Sequence, residues 1–245
     1  MKAIILAAGI GKRLDRESPL PKCLLRFGGR SLIERHLSAL AAAGVSNVAL
    51  CIGYESGQIE AQIAAMPEPK VLALHNPQYR LGSILSLWTA RDALKSGDDV
   101  LITDADVLYD PAILKRLVES ASRNCFLFDR QFDTGHEPVK ICMNAGRIVE
   151  FRKHIASDLT YNSIGESVGF FKFDASTALR LATIVSAYVA DGRADEPHEE
   201  ALRDLALAFP EEIGVEDITG LPWIEIDFPA DVDRAKTMLP KIDGH

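Results

Sequence analysis

The chain is poor in cysteine, and the four it has (Cys23, Cys51, Cys125 and Cys142) form no CxxC pair. Each sits in or near an apolar run, which indicates four reduced thiols rather than a disulfide framework. A basic excess is also missing: 27 Lys and Arg face 35 Asp and Glu, a formal net charge of −8. That argues against general nucleic-acid binding, whose footprint is basic, and leaves room for a local basic pocket for a small anion. No run approaches the ~20 apolar residues of a membrane span. The N-terminal apolar stretch stops at Ala8 and charges follow, unlike a secretory leader. A cytoplasmic protein with no membrane partner is expected. There is no internal repeat and no long low-complexity linker. Oligomeric state leaves no trace in the sequence.

What is present is an α/β rhythm. With 245 residues, 47% apolar and 25% charged, the chain can bury one substantial core. KAIIL (Lys2–Leu6), NVALCIG (Asn47–Gly53), KVLAL (Lys70–Leu74) and DVLITDAD (Asp99–Asp106) read as short buried strands. Helical patterns separate them: SLIERHLSALAAAG with Gly44 as its stop, SGQIEAQIAAM, and Ser83–Leu94. DPAILKRLVESA follows, with Pro111 near its start. After about Cys125 the rhythm changes to strands with short connections: NCFLFD, VKICMN, RIVEFRK and Glu166–Phe173, with a hairpin turn at Asn144–Gly146. Helices at Ala175–Ala190 and Pro197–Ala208, a strand at Trp223–Asp227 and a helix at Pro229–Leu239 close the chain. The expected fold is a doubly wound, mainly parallel mixed sheet of Rossmann-like type with a β-rich second half. One domain spans 1–245, with an α/β half (1–123) and a β-rich half (124–245).

The stretch AAGIGKRL lies directly behind the first strand, where open α/β sheets bind ligands. Glycines there let the backbone approach a phosphate, and successive N–H groups in a tight turn form an anion nest. Lys12 and Arg13 add full charges, and Lys22, behind Pro21, returns a third cation to the same mouth. Three cations plus a nest suit a triphosphate. The Walker pattern is absent, because Gly11-Lys12 follows Gly9 too closely and Arg13 replaces Ser/Thr. The dinucleotide fingerprint lacks its third glycine, where Leu14 stands. The loop taken alone also fits a glycine-rich turn with scattered surface cations.

Asp104 and Asp106 end an apolar strand at the same sheet edge, and residues two apart on a strand share a face. Paired carboxylates repel unless a cation accompanies them. Mg²⁺, held by carboxylates and substrate phosphates, is the natural candidate. Asp110 already serves as the cap of the helix at Pro111, so the earlier pair is free for that role. Glu225 and Asp227 close a later strand in the same manner, and Asp231 reads as an early-helix acid.

Together LAAGIGKRL, LPK, DAD and EID resemble the nucleotidyltransferases that join an NTP to a phosphorylated small molecule and release pyrophosphate. Within that family HNPQYRLGSILSLWTAR, TDAD and WIEID look most like the cytidylyltransferases acting on phospho-alcohols, phosphonates or phosphocholine-like acceptors. DRQFDTGHEPVKICMNAGRIVEFRK also looks like the inositol-1-phosphate enzymes. The resemblance implies CTP as donor and a small phosphorylated or phosphonate acceptor as partner. It implies that Leu6, Ala7, Ala8, Gly9 and Gly11 lie along the nucleotide, with Lys12 and Arg13 on its β- and γ-phosphates and Lys22 on its α-phosphate. Gly82 and Ser83 stand at the base, Asp106 and Asp227 hold Mg²⁺ with Asp104 beside them, and Lys153 meets the acceptor phosphate. Glu166, with Ser167 and Gly169, lines the acceptor pocket, and Glu199 faces a cationic group. The segment Asp15–Leu20 is short for the family, which puts the triphosphate lid in question. Glu199 and Glu166 also read as an ordinary helix start and a solvated strand residue. His198 and Glu199, adjacent on a helix, are expected to diverge, which disfavours zinc. Sugar-1-phosphate or molybdenum-cofactor nucleotidyltransferases, and a nucleotide-binding module without turnover, stay open as alternatives.

Overall fold

The computed structural model describes residues 1–14, 20–132 and 138–244. The apolar run behind the initiator methionine forms β1 (Lys2–Ala7). A small hairpin, β2 (Arg26–Phe27) and β3 (Arg30–Ser31), turns at Gly28 and Gly29, both at positive φ. Ser31 then starts α1 (Leu32–Ala42) with a capping box to Glu34, reciprocal bonds that satisfy two backbone donors. The chain continues through β4 (Asn47–Ile52), α2 (Ser56–Ala64), β5 (Lys70–His75), α3 (Ile84–Thr89), α4 (Arg91–Leu94) and β6 (Val100–Asp104). Next come β7 (Val107–Tyr109), α5 (Pro111–Glu119), β8 (Cys125–Asp129), β9 (Lys140–Asn144), β10 (Arg147–Arg152) and β11 (Ser163–Phe173). The last elements are α6 (Ala175–Ala190), α7 (His198–Ala208), β12 (Gly214–Asp217), β13 (Trp223–Glu225) and α8 (Pro229–Ile242).

Among the described residues the central sheet has nine strands. Its main path runs β10-β9-β11-β6-β1-β4-β5, and β8 pairs with both β11 and β12. Strands β6, β1, β4 and β5 are parallel, while β11 runs antiparallel to β6, β8 and β9. The α/β first half and β-rich second half therefore share one sheet, as the patterning indicates.

Neighbouring residues of one strand feed opposite layers. Ile4 and Phe171 face the layer under α6 and α7, packing with Leu181 and Leu202. Ile5 and Phe170 face the other layer, with Ile33 and Leu37 of α1 and Leu114 of α5. Burial on both faces explains why these strands read as continuous apolar runs rather than alternating ones.

Three expectations near the site change. The strand expected over Trp223–Asp227 ends at Glu225, so Asp227 lies beyond it. The strand expected over Asp99–Asp106 ends at Asp104; Ala105 and Asp106 form a turn, and a new strand, β7, begins at Val107. That strand leaves the main sheet and pairs antiparallel with β13, Glu225 opposite Val107. Asp106 thus reaches the site from a turn, not from a strand face shared with Asp104. The helix expected over Ser83–Leu94 breaks at Ala90 into α3 and α4.

Candidate active site

The site forms where the ends of β1 and β6 meet, Leu6 opposite Asp104. The Ala105 N–H donates to the Leu6 carbonyl at 3.2 Å, fixing the turn that carries Asp106. From the other side the Ile226 N–H donates to the Asp106 carbonyl at 2.9 Å, which continues the β7–β13 pairing and brings Asp227 alongside. Asp227 is held by Asp231, whose Oδ2 accepts the N–H groups of Asp227 at 3.0 Å and Phe228 at 2.7 Å. The early-helix acid is therefore a clamp on Asp227.

Lys22 joins the two carboxylates. Its Nζ donates to Asp106 Oδ2 at 2.8 Å and to Asp227 Oδ1 at 2.6 Å. Arg13 Nη1 donates to the other oxygen of Asp227 at 2.6 Å. Burial alone lowers the pKa of the Lys22 ammonium; Asp106 and Asp227 outweigh it and hold it above its ordinary value. Burial pushes Asp227 up, and Lys22, Arg13 and Lys153 more than offset this, keeping it below the usual range. Glu225, although its side chain reaches solvent, is raised well above that range, first by desolvation from the groups around it and then by the charges of Asp106 and Asp227. Asp106, Glu225 and Asp227 each offer a carboxylate oxygen, all within 4.8 Å of one another. Three hard oxygen donors at that spacing, one of them kept high by the crowding, fit a divalent cation.

Beside these groups opens a cavity of about 460 Å³. Of the residues singled out from the sequence, Arg13, Asp104, Lys153, Glu166, Glu199 and Asp227 line it, as do Ser167 and Gly169. Lys153 is half-buried, and its charge acts on both Glu199 and Asp227. Leu6 and Ala7 end β1, Ala8, Gly9 and Gly11 follow it, and none of the five lines this cavity; Lys12 and Arg13 beyond them are exposed. Gly11 takes a positive φ of 67°, the turn the loop requires. Gly82 and Ser83 also lie outside the cavity. They are bound to the segment before α7, with Gly82 N donating to Ala194 O and Ile84 N to Glu196 O, both at 3.2 Å. Most of the segment Asp15–Leu20, where the lid question arose, and residues 133–137 lie outside the described residues.

Three features of the site differ from the sequence pattern or leave no signal in it. His198 and Glu199 do not diverge: at the head of α7 the His198 Nδ1 lies 3.0 Å from Glu199 Oε2. The i,i+1 argument applies inside a helix and fails at its first residues. Glu225 closes β13 as the pattern indicates, yet its place in the metal-sized cluster depends on the β7–β13 register. Asp129 and Trp223 form a polar patch in the cavity wall, Trp223 Nε1 donating to Asp129 Oδ2 at 2.8 Å. Their positions, 94 apart in the chain, carry no local signal.

This mixed sheet, with a cationic loop behind β1 and acids converging from β6–β7 and β13, has the architecture of the nucleotidyltransferases. The chain belongs to the MobA-like NTP transferase domain family, whose pattern matches residues 3–163. It is 28% identical over 98% of its length to a bifunctional IPC transferase and DIPP synthase of Aquifex aeolicus, of which it covers 52%. It is 33% identical over 82% of its length to a 2-aminoethylphosphonate cytidylyltransferase of Lancefieldella rimae, covering 77% of that protein. The chain thus spans about half the length of the bifunctional relatives it matches. Among solved structures, the inositol-1-phosphate CTP transferase from T. maritima shares the fold, with a TM-score of 0.77 at 23% identity. That match covers 98% of this chain and 95% of the other. No helix among the described residues is long and apolar enough to cross a membrane.

Proposed function

We propose that the protein is a Mg²⁺-dependent cytidylyltransferase. It transfers CMP from CTP to a small phosphorylated alcohol or phosphonate and releases pyrophosphate. The observation that carries this reading is the Lys22 bridge between Asp106 and Asp227, set beside a cavity with Lys153 on its wall. The names of relatives add to it: one acts on 2-aminoethylphosphonate, and a structural neighbour at 20% identity is a CTP:phosphocholine cytidylyltransferase. On this reading the first half of the chain, 1–123, serves the nucleotide, and 124–245 supplies most of the acceptor wall.

An acceptor phosphate or phosphonate oxygen attacks the α-phosphorus of CTP. The bond from that phosphorus to the bridging oxygen breaks, and pyrophosphate leaves. The nucleophile is already an anion, so no serine, cysteine or strong base is needed. Catalysis becomes positioning and charge neutralisation. Asp106 and Asp227, with Glu225 close by, would hold Mg²⁺, which when bound would supply positive charge to the α-phosphate. Leu6, Ala7, Ala8, Gly9 and Gly11 lie along the nucleotide, with Gly82 and Ser83 toward the base. Lys22 offsets charge on the α-phosphate, while Lys12 and Arg13 draw the leaving pyrophosphate. Lys153 meets the acceptor's anionic group, and Glu166 and Glu199 face the rest of the acceptor. Asp104, beside the metal acids on the nucleotide side, lines the same cavity wall.

The test is pyrophosphate release with Mg²⁺, crossing the four NTPs with phosphocholine, inositol 1-phosphate, 2-aminoethylphosphonate and several sugar 1-phosphates. Release with CTP and one of the first three acceptors is expected. Release with a sugar phosphate alone would move the protein to the sugar nucleotidyltransferases. Binding of CTP without any release would point to a module that keeps the fold but not the turnover.

A further inference from the structure

At the head of α7 a buried ring touches both halves of the site. The His198 side chain is 5% exposed. Its Nδ1 lies 3.0 Å from Ser83 Oγ and 3.0 Å from Glu199 Oε2, and its Nε2 lies 3.7 Å from Asp104 Oδ1. The His198 backbone N–H donates to the same Ser83 Oγ at 2.8 Å. Ser83 belongs to the loop toward the base, whereas Asp104 and Glu199 line the cavity. Nothing in the proposed chemistry uses this ring.

We infer that His198 is a positioning residue. It holds the carboxylates of Asp104 and Glu199 toward the acceptor and ties that wall to the nucleotide-side loop at Ser83. What the wall receives rests on the cytidylyltransferase reading; the strut itself does not.

The surroundings leave Asp104 few other places to go. Gly169, at a positive φ of 76°, presses its backbone against Asp104, and a Cβ there would lie 2.3 Å from Asp104 Oδ2. Asp104 is thus confined between Gly169 on β11 and His198 on α7. Burial by itself would drive the ring toward neutrality, but Glu199 and Asp104, with Asp106 further off, outweigh it and raise its pKa to about 9. Burial pushes Glu199 up, and His198 beside it, with Lys153 beyond, brings it down to about 2. A cation beside two partly buried carboxylates favours their charged forms and holds their orientation, although burial still leaves Asp104 raised to about 7. Without the cation they repel, and one must take up a proton or turn away.

The experiment uses full-length His198→Gln and His198→Asn, with the fold checked by thermal melting. Pyrophosphate release is followed with Mg²⁺, CTP and the acceptor that the panel above selects. The acceptor KM is expected to rise on the order of tenfold, as one close ion pair that orients the wall is lost, with the CTP KM little changed. Adding His198→Gln to Glu199→Gln is expected to cost little beyond Glu199→Gln alone, because His198 acts through that carboxylate. Unchanged acceptor KM overturns the inference, as does a uniform loss that follows the melting temperature.

If the unaltered protein releases no pyrophosphate at all, the enzymatic reading fails separately. The strut is then judged by the ¹⁵N spectrum of the histidine rings at pH 7.5, with His198→Gln identifying the signal. A doubly protonated ring that shifts on Glu199→Gln sustains the inference. A neutral ring indifferent to Glu199 ends it.

Discussion

Lys22 and Asp227 stand 2.6 Å apart although 205 positions separate them in the chain. The same ammonium reaches Asp106 at 2.8 Å, so one cation joins a loop behind β1, a turn behind β6 and the end of β13. The side chains are only 14% to 23% exposed, and Glu225 adds another carboxylate nearby. Lys22→Met leaves these acids facing each other with Arg13 as the nearest remaining cation. Turnover is expected to fall on the order of a hundredfold or more, as when a preorganised charge on a reacting group is removed. The melting temperature of the variant is expected to respond to Mg²⁺ more than that of the unaltered protein, since added cation relieves the repulsion. Pyrophosphate assays and melting curves with and without Mg²⁺ check both. Near-normal turnover would remove Lys22 from the chemistry.

Asp106→Asn and Asp227→Asn probe the proposed metal-holding role of the same group. Each keeps the size of the side chain and removes one hard, charged donor. Turnover is expected to collapse in both while melting temperatures stay near that of the unaltered protein, because Lys22 keeps its other carboxylate. Loss of folding in parallel with activity would make these acids structural instead.

Gly82 has no room for a side chain. A Cβ there would lie 2.3 Å from Glu196 O and 2.4 Å from Asp195 C, and backbone cannot swing aside as a flexible side chain can. Gly82→Ala must therefore part the loop at 82–84 from the segment at 194–196, straining the two bonds that join them. A loss on the order of 2 kcal/mol in stability is expected from such overpacking. The CTP KM should rise with it if, as proposed, the same loop faces the base. Chemical denaturation and CTP titration measure the two effects. An alanine variant as stable as the parent would mean that the loop yields freely.

How much of this could be read in the sequence depended on distance along the chain. KAIIL was legible as β1 because continuous apolar residues reflect burial on both faces, and the structure extends it only to Ala7. Asp110 was legible as a cap, and its Oδ1 accepts the Ala112 N–H at 2.8 Å. Asp106 was found as a residue but misplaced on the strand, since nothing local announces that the chain leaves the sheet at Ala105. That departure is set by pairing of β7 with β13, more than a hundred residues away. The short β12 and the β2–β3 hairpin were missed because a few residues carry no period. His198 was set aside on interior-helix geometry, whereas its contacts arise at the helix head, where backbone and side chains take other directions.

Asp231 shows a residue acting through its neighbour. It is 5% exposed, and its Oδ2 accepts two consecutive backbone N–H groups, one of them that of Asp227. Asp231→Ala leaves both donors unmet at the start of α8 and frees the backbone that aims Asp227. A stability cost of about 1 kcal/mol is expected, typical of a lost cap. Turnover should fall more than that cost implies, roughly tenfold or beyond, because small displacements of a positioning group are expensive. Asp231→Asn, which keeps an acceptor oxygen, should recover most of both. A variant that loses stability but keeps full turnover would show that Asp227 is aimed by other contacts.

His36 gives the fold a pH dependence of its own. The ring is fully buried on α1, its centroid 4.9 Å from that of Tyr109 and 5.8 Å from that of Phe170. Burial lowers its pKa from 6.5 to about 4, against weaker opposing pulls from Asp106 and the Val107 backbone. The folded protein therefore refuses a proton that the unfolded chain accepts below about 6.5. Stability should fall as the pH drops from 6.5 toward 4, by a few kcal/mol in all, and no further below that from this group. Above 6.5 both states hold the ring neutral, and His36 adds no slope. In His36→Leu this part of the acid sensitivity should vanish, leaving only what the carboxylates contribute. Urea unfolding of both proteins between pH 4 and pH 8 isolates the difference. Parallel curves across that range would mean that the ring takes up its proton equally well in the folded state.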